Sequence, residues 1–283
     1  MHLDRIRLTQ PDFFRLFLLL PHTIAAVVSI GTFACISLLM MPELQSLMQY
    51  LLAITPAFLV CGALLLAVPR QLALLRVLVH ILFFVLARDA MTIHGYWQVA
   101  AGGLRFTAPP LILLGLGAIS LGLVGSICGL EKEMRSRIRW IGEGYAISAA
   151  WGLAGAALVV LLAMMLKSLS GLPSLPPVET SLLPLLLVFA LAANCYEELL
   201  FRGLLQQQLQ EHMPALRAAL VSGLLFGLCH AFLATTVTQV GAPILVFTVI
   251  EGVVAGLVYS RAGLLGSSLA HGLAIFALAA GWV

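Results

Sequence analysis

"TSLLPLLLVFALAANCYEELLFRG", residues 180–203, is apolar for most of its length, then places two adjacent glutamates and an arginine in the same run. A stretch this long and apolar reads as a membrane-spanning helix, since about 20 such residues cross the hydrocarbon core of a bilayer. Glu197, Glu198 and Arg202 are expensive at that depth unless they are paired or carry out chemistry. They decide both the fold class and the place to look for function.

The rest of the 283 residues agree with a membrane setting: 61% are hydrophobic and 10% charged, too few charges to cover the surface of a soluble domain. The net charge of +3 is too small to suggest nucleic-acid binding, so the expected surroundings are a lipid bilayer. Cys35, Cys61, Cys128, Cys195 and Cys229 all lie in apolar stretches with no C-x-x-C pair, which argues against a zinc knuckle or a disulfide framework. The opening "MHLDRIRLTQPDFFRLFLLL" contains acids and no small-residue cleavage site, and reads as a cytoplasmic tail leading into a span.

The expected fold is all-α, a polytopic transmembrane helix bundle of eight or nine spans. Candidate spans lie at about 17–41, 47–68, 71–87, 108–130, 145–166, 181–210, 214–233, 243–260 and 264–282, the third being the weakest because it holds Arg76 and His80. The sixth ends in the amphipathic "LLFRGLLQQQLQ" and is expected to project beyond the bilayer. With nine spans and an internal N-terminus, 12 basic residues, Arg76 and Arg202 among them, fall on the inner side against Arg88, Arg105 and Lys167 outside. Eight spans would remove that bias, so nine fit better. The charged loop "EKEMRSRIRW" (131–140) reads as cytoplasmic and divides an N-terminal region, 1–140, of no evident role from a C-terminal region, 141–283, richer in intramembrane ionisable groups.

Those groups are Glu197, Glu198, Arg202, His230, Glu251 and His271. A turn near "EHMP" puts Glu197 and His230 at a common height, roughly 22–27 Å above it at about 1.5 Å per residue. A second turn near "SRAG" does the same for Glu251 and His271, roughly 15 Å above it. One interior cavity is therefore expected to collect them. Glu198 and Arg202 stand at i,i+4 in the favourable order for a structural ion pair. Glu197 has no partner within its own helix and suits a general base activating water. His230 taken alone reads as a packing residue, but its match in depth with Glu197 favours function; His271 alone is undecided. His80, His94 and His212 read as packing residues, and the cysteines as inert thiols.

The pattern resembles the CPBP intramembrane proteases, also called the Abi or CAAX-protease-like family. "EELLFR" (197–202) fits its E-E-x-x-x-R motif, "FGLCH" (226–230) its F-x-x-x-H motif, and "GLVYSRAGLLGSSLAH" (256–271) its glycine-rich span end, turn and histidine. The likeness covers about 180–282. It implies a glutamate-type intramembrane endopeptidase within the C-terminal helices: Glu197 activates the water with help from His230, Glu198 pairs with Arg202, His271 stabilises the oxyanion, and Phe226 packs against the site. The family's usual H-x-x-x-N reads "HGLAI" here, with Ile275 in the asparagine position. Glu251 is expected to fill part of that polar space, hydrogen-bonding His271 and fixing its tautomer.

A metal, zinc if any, would draw on His230, His271 and Glu197; the chemistry of Glu197 needs none, and both readings stay open. The expected partner is a membrane-associated peptide or protein substrate. Against the protease stand a catalytically silent scaffold or immunity-type protein on the same fold and, more weakly, a proton-coupled transporter, which the absence of any internal repeat disfavours. The expected location is a bacterial inner (plasma) membrane with the N-terminus cytoplasmic.

Overall fold

The structure, a computed structural model, describes residues 42–93, 97–100, 103–106, 108–170, 176–231 and 242–283. The expected first span, 17–41, lies outside these residues, as do His94 and Cys35. Two compact units are distinguished, Met1–Gln49 and Tyr50–Val283. In chain order the elements are α1 (Pro42–Ala67), α2 (Ala73–Ile93), strands β1 (Trp97–Ala100) and β2 (Gly103–Phe106), α3 (Pro110–Leu130), α4 (Lys132–Arg137) and α5 (Tyr145–Ser170). A 3-10 turn then leads into α6 (Leu183–Glu198), which continues as a π-helical run (Leu199–Gln206) and α7 (Gln207–Gln210), followed by α8 (Ala215–Cys229) and α9 (Ala242–Ala279). Pro110 and Pro184 open α3 and α6 and Pro214 precedes α8, positions where a fixed φ and a missing N–H are tolerated.

Among the described residues, five helices are long and apolar enough to cross a membrane: Leu47–Ala67, Pro110–Leu130, Tyr145–Ser168, Thr180–Gln210 and Pro243–Ala279. The chain is an integral multi-pass membrane protein. The expected span at 214–233 is the short α8, whose apolar helix covers only Ala215–Cys229. The expected span at 71–87 is α2, which runs on to Ile93, carries Arg76, Arg88 and Asp89, and is not among the five. The all-helical expectation also misses the hairpin, in which Trp97 pairs with Phe106 and Ala100 with Gly103.

The last two expected spans form one helical run broken at Gly263, which adopts φ 70°, ψ −169°. Glu251 and His271 flank that break, yet their side chains approach to 3.8 Å. A straight helix would hold them about 30 Å apart, so the two limbs of α9 fold back on each other at Gly263. The break exposes backbone groups that a bilayer cannot hydrate. The segment after α4 meets them: the Leu264 and Leu265 N–H groups donate to the Arg139 and Trp140 carbonyls at 2.8 and 2.9 Å. On the other limb the Arg139 guanidinium donates to the Ser260 carbonyl at 2.8 Å. The expected turn near residue 261 is thus a single glycine clamped by the charged loop.

The polar end of the sixth span packs against the rest of the protein over its first eight residues, while Gln207–Gln210 are half-buried. All eight residues of Leu199–Gln206 are buried. Gln206 Nε2 donates to the Gly256 carbonyl at 2.9 Å and to Ser260 Oγ at 3.1 Å, which gives both N–H groups of the buried amide a partner. Around this run sits a large core cluster, with Val77, Ile81 and Phe84 from α2, Leu199, Leu200, Phe201 and Leu204 from the π run, Phe226 from α8, and Tyr259 and Leu264 from α9. Positions 77, 81 and 84 recur at helical spacing, so one face of α2 is committed to this core.

A buried ion cluster anchors the start of α2. Arg76 binds Glu131 through Nε and Nη2, at 3.0 and 2.6 Å, and donates from Nη1 to the Leu65 and Val68 carbonyls at the end of α1. His80, expected as a plain packing residue, joins the cluster with Nε2 3.1 Å from Glu131 Oε1. Three basic residues counted for orientation, Arg76, Arg88 and Arg202, therefore belong to the interior. Without them the charge count behind the expected orientation becomes ten against two.

At Gly263 a Cβ would lie 2.7 Å from the Arg139 carbonyl oxygen, in the left-handed region. Gly263→Ala is expected to destabilise the full-length protein by about 1–3 kcal/mol. Gly62→Ala serves as the control, because a Cβ there meets nothing within 4 Å. Thermal unfolding of both variants in detergent checks this: a marked drop for the first, none for the second.

Candidate active site

Glu198, the last residue of α6, is fully buried and gathers three segments. Its Oε1 accepts from Arg202 Nη1 at 2.6 Å and from His271 Nδ1 at 2.8 Å. Arg202 Nη2 donates to the Gly252 carbonyl at 2.8 Å. One carboxylate thus ties the end of α6 to both limbs of α9. The i,i+4 pair expected between Glu198 and Arg202 is present, inside the protein rather than on its surface. Because the carboxylate accepts, Nδ1 of His271 carries the proton.

Glu251 was expected to fix that tautomer by hydrogen-bonding His271. The structure gives the hydrogen bond to Glu198 instead. Glu251 Oε1 lies 3.8 Å from Nε2, the other ring nitrogen, within ion-pair reach and beyond hydrogen-bond range. The physical reason is the fold-back at Gly263, which turns opposite edges of the imidazole towards the two acids.

Glu197 is also buried, one residue earlier, and faces a different set of neighbours. Its Oε2 lies 3.6 Å from His230 Nε2, too far for a direct hydrogen bond. His230 caps the C-terminal end of α8, and its Nδ1 lies 2.8 Å from the Phe226 carbonyl. A carbonyl only accepts, so Nδ1 holds a proton there and the neutral ring turns a lone pair towards Glu197. The Phe226 ring lies between the two halves of the site, with centroids 4.3 Å from His230 and 5.2 Å from His271, and beneath Arg202 at 4.6 Å. The two subsites share the Glu197–Glu198 peptide bond and this ring.

The other oxygen of Glu197, Oε1, is in contact with Arg88 Nη2. Arg88 comes from α2 and is 15% exposed, not in an outer loop as the charge pattern suggested. Its guanidinium also lies 5.7 Å from the Phe84 ring, and Phe84 in turn lies 5.5 Å from His230. The signal was in the chain: 77, 81, 84 and 88 continue one helical stripe, so Arg88 extends the face that Phe84 presents to the core.

Ile275 packs against the apolar cluster of Ala163, Leu278 and Val283. The suggested metal set, Glu197, His230 and His271, does not form one cluster. Among the described residues no group of three or more His, Cys, Asp or Glu is arranged to hold a metal ion.

Removing Arg202 leaves Glu198 buried without its cation, a change that costs about 3–5 kcal/mol. Arg202→Met is expected to lower the thermal midpoint in detergent steeply, and Glu198→Gln combined with it to recover part of the loss.

Residues 179–277 match the protein family described as type II CAAX prenyl endopeptidase Rce1-like. The match spans about a third of the chain and takes in Glu197, Glu198, Arg202, Phe226, His230, Glu251 and His271, while Arg88 lies outside it. No curated protein and no solved structure matches the chain. With the E-E-x-x-x-R and F-x-x-x-H residues gathered as described, residues 179–277 are a domain of the Rce1-like CAAX protease (CPBP/Abi) family, the intramembrane glutamate-type endopeptidases.

Proposed function

We propose that this protein is an intramembrane endopeptidase that hydrolyses a peptide bond in a membrane-associated protein or peptide, using water activated by Glu197. The observation that carries the reading is the pairing of Glu197 Oε2 with His230 Nε2 at 3.6 Å inside the bundle. That separation is too long for a direct bond and leaves both groups able to engage a water lying beside the pair. A carboxylate is a competent general base when it lies within hydrogen-bond reach of the proton it takes.

The steps balance without another reactant. Water's oxygen bonds to the scissile carbonyl carbon while one of its protons passes to Glu197, and the carbonyl electron pair moves onto oxygen. Collapse of that tetrahedral intermediate breaks the C–N bond, and Glu197 returns the proton to the leaving amine. His230 accepts through Nε2 and orients the water. His271, held by Glu198 through Nδ1–H, would donate Nε2–H to the oxyanion as an imidazolium, since only the doubly protonated ring has a second donor; a preorganised donor of this kind is typically worth about 3–4 kcal/mol. Glu198 and Arg202 hold the helices in place. We place the protein in a bacterial inner membrane, with the cytoplasmic N-terminus that the basic residues favour.

A second reading, a catalytically silent scaffold, is favoured by Ile275, which puts a hydrocarbon where the family pattern carries an amide. The two readings part on isosteric variants. Comparing the membrane peptidome of host cells carrying wild type with those carrying Glu197→Gln or His230→Ala is the test. The protease reading expects a set of cleavage products to disappear, with processing reduced about a hundred- to ten-thousand-fold while the variants stay inserted and folded. An unchanged peptidome supports the scaffold. For His271→Ala the expected loss is about a hundred- to a thousand-fold, measured on the same products.

A further inference from the structure

Glu197 is 1% exposed, and the aromatic rings of Phe84 and Phe226 lie around its partner His230. A buried carboxylate without a compensating cation takes up a proton and neutralises itself, and in that state it can accept nothing from water. His230 does not supply the compensation while its ring is neutral, because its Nδ1 proton is turned to the Phe226 carbonyl. The charges on the neighbouring subsite are already engaged, Arg202 with Glu198 and Gly252. The guanidinium in contact with Glu197 is that of Arg88.

Arg88 lies on α2, outside the residues that match the family. Its backbone is held at both ends of a committed face: by the Arg76–Glu131–His80 cluster near the start of the helix, and by Phe84 packed edge-on against Tyr196 and Phe201 one turn before it. An arginine placed so firmly against one carboxylate is not a solvated charge that wandered inward.

We propose that Arg88 is a positioning residue for the reaction: the N-terminal region supplies it to keep Glu197 as an oriented carboxylate inside the apolar site. The inference rests on Glu197 being the base of the protease reading, and it gives the region before residue 140 a task in the chemistry. Arginine suits the role because it stays charged when buried and presents a planar fork to a carboxylate.

The protonation state of Glu197 can be read without a substrate, by infrared difference spectroscopy on the full-length protein in lipid nanodiscs. Subtracting Glu197→Gln from wild type is expected to reveal the loss of one ionised-carboxylate band. Loss of a protonated-carboxyl band instead overturns the proposal. In Arg88→Gln, shown to be folded by thermal unfolding, the carboxylate band is expected to convert to a protonated-carboxyl band, and the conversion to vanish in the Arg88→Gln/Glu197→Gln double variant. A folded Arg88→Gln with its carboxylate band unchanged also overturns it. Should Arg88→Gln not fold, Arg88→Lys, which keeps the charge, is expected to keep the carboxylate band, and its conversion there overturns the proposal. In the peptidome assay Arg88→Gln is expected to lose the products that Glu197→Gln loses, and Arg88→Lys to retain part of them. If Glu197→Gln leaves the peptidome unchanged, the protease reading falls while the infrared result still decides the role of Arg88.

Discussion

The arrangement depends on a single oxygen. Oε1 of Glu198 accepts from Arg202 and from His271, and through Arg202 the link extends to the Gly252 carbonyl. Within a bundle whose neighbouring surfaces are hydrocarbon, apolar contact alone distinguishes poorly between one helix register and another. A buried charged network does discriminate, since any slip leaves a polar group stranded in low dielectric. Glu198 thereby sets the height of α6 against both limbs of α9, and the height of its neighbour Glu197 follows through one peptide bond. The residue we propose as the base and the residue that fixes the geometry are adjacent in sequence.

Much of this was legible in the chain. Turn positions and helical rise alone placed Glu197 level with His230 and Glu251 level with His271, and the side chains approach to 3.6 and 3.8 Å. The i,i+4 spacing of Glu198 and Arg202 announced their pair. What remained hidden depended on partners far apart in sequence. Nothing in the pattern around Arg88 or Arg76 names Glu197 or Glu131 as the acid each will meet, because such pairs are made by tertiary packing and not by periodicity. The amphipathic look of "LLFRGLLQQQLQ" did not reveal the partners of Gln206 for a related reason: its acceptors lie on α9, some 50 residues away. The preference of His271 for Glu198 over Glu251 was equally out of reach, since it turns on which edge of a ring faces which limb.

The two regions divided by the charged loop are tied together by specific contacts. The segment that follows α4 closes the broken backbone at Gly263 through its Arg139 and Trp140 carbonyls, while α2 brings Arg88 to Glu197. A domain defined by the matched residues alone would lack both. The N-terminal region therefore supplies backbone acceptors and a cation to a site whose recognisable motifs all lie elsewhere.

The π-helical run Leu199–Gln206 has a bearing on how chains of this kind are compared. Its wider winding begins at the residue after Glu198, so side chains beyond it emerge at angles that a regular 3.6-residue wheel does not foresee. A cousin that tightened this stretch by dropping one amino acid would keep its glutamate pair intact yet rotate every later position, carrying the counterpart of Gln206 away from α9. Inheritance within such a lineage should then reveal itself as a strict conservation of spacing between the acidic pair and the glutamines, with more freedom in the identity of the residues in between.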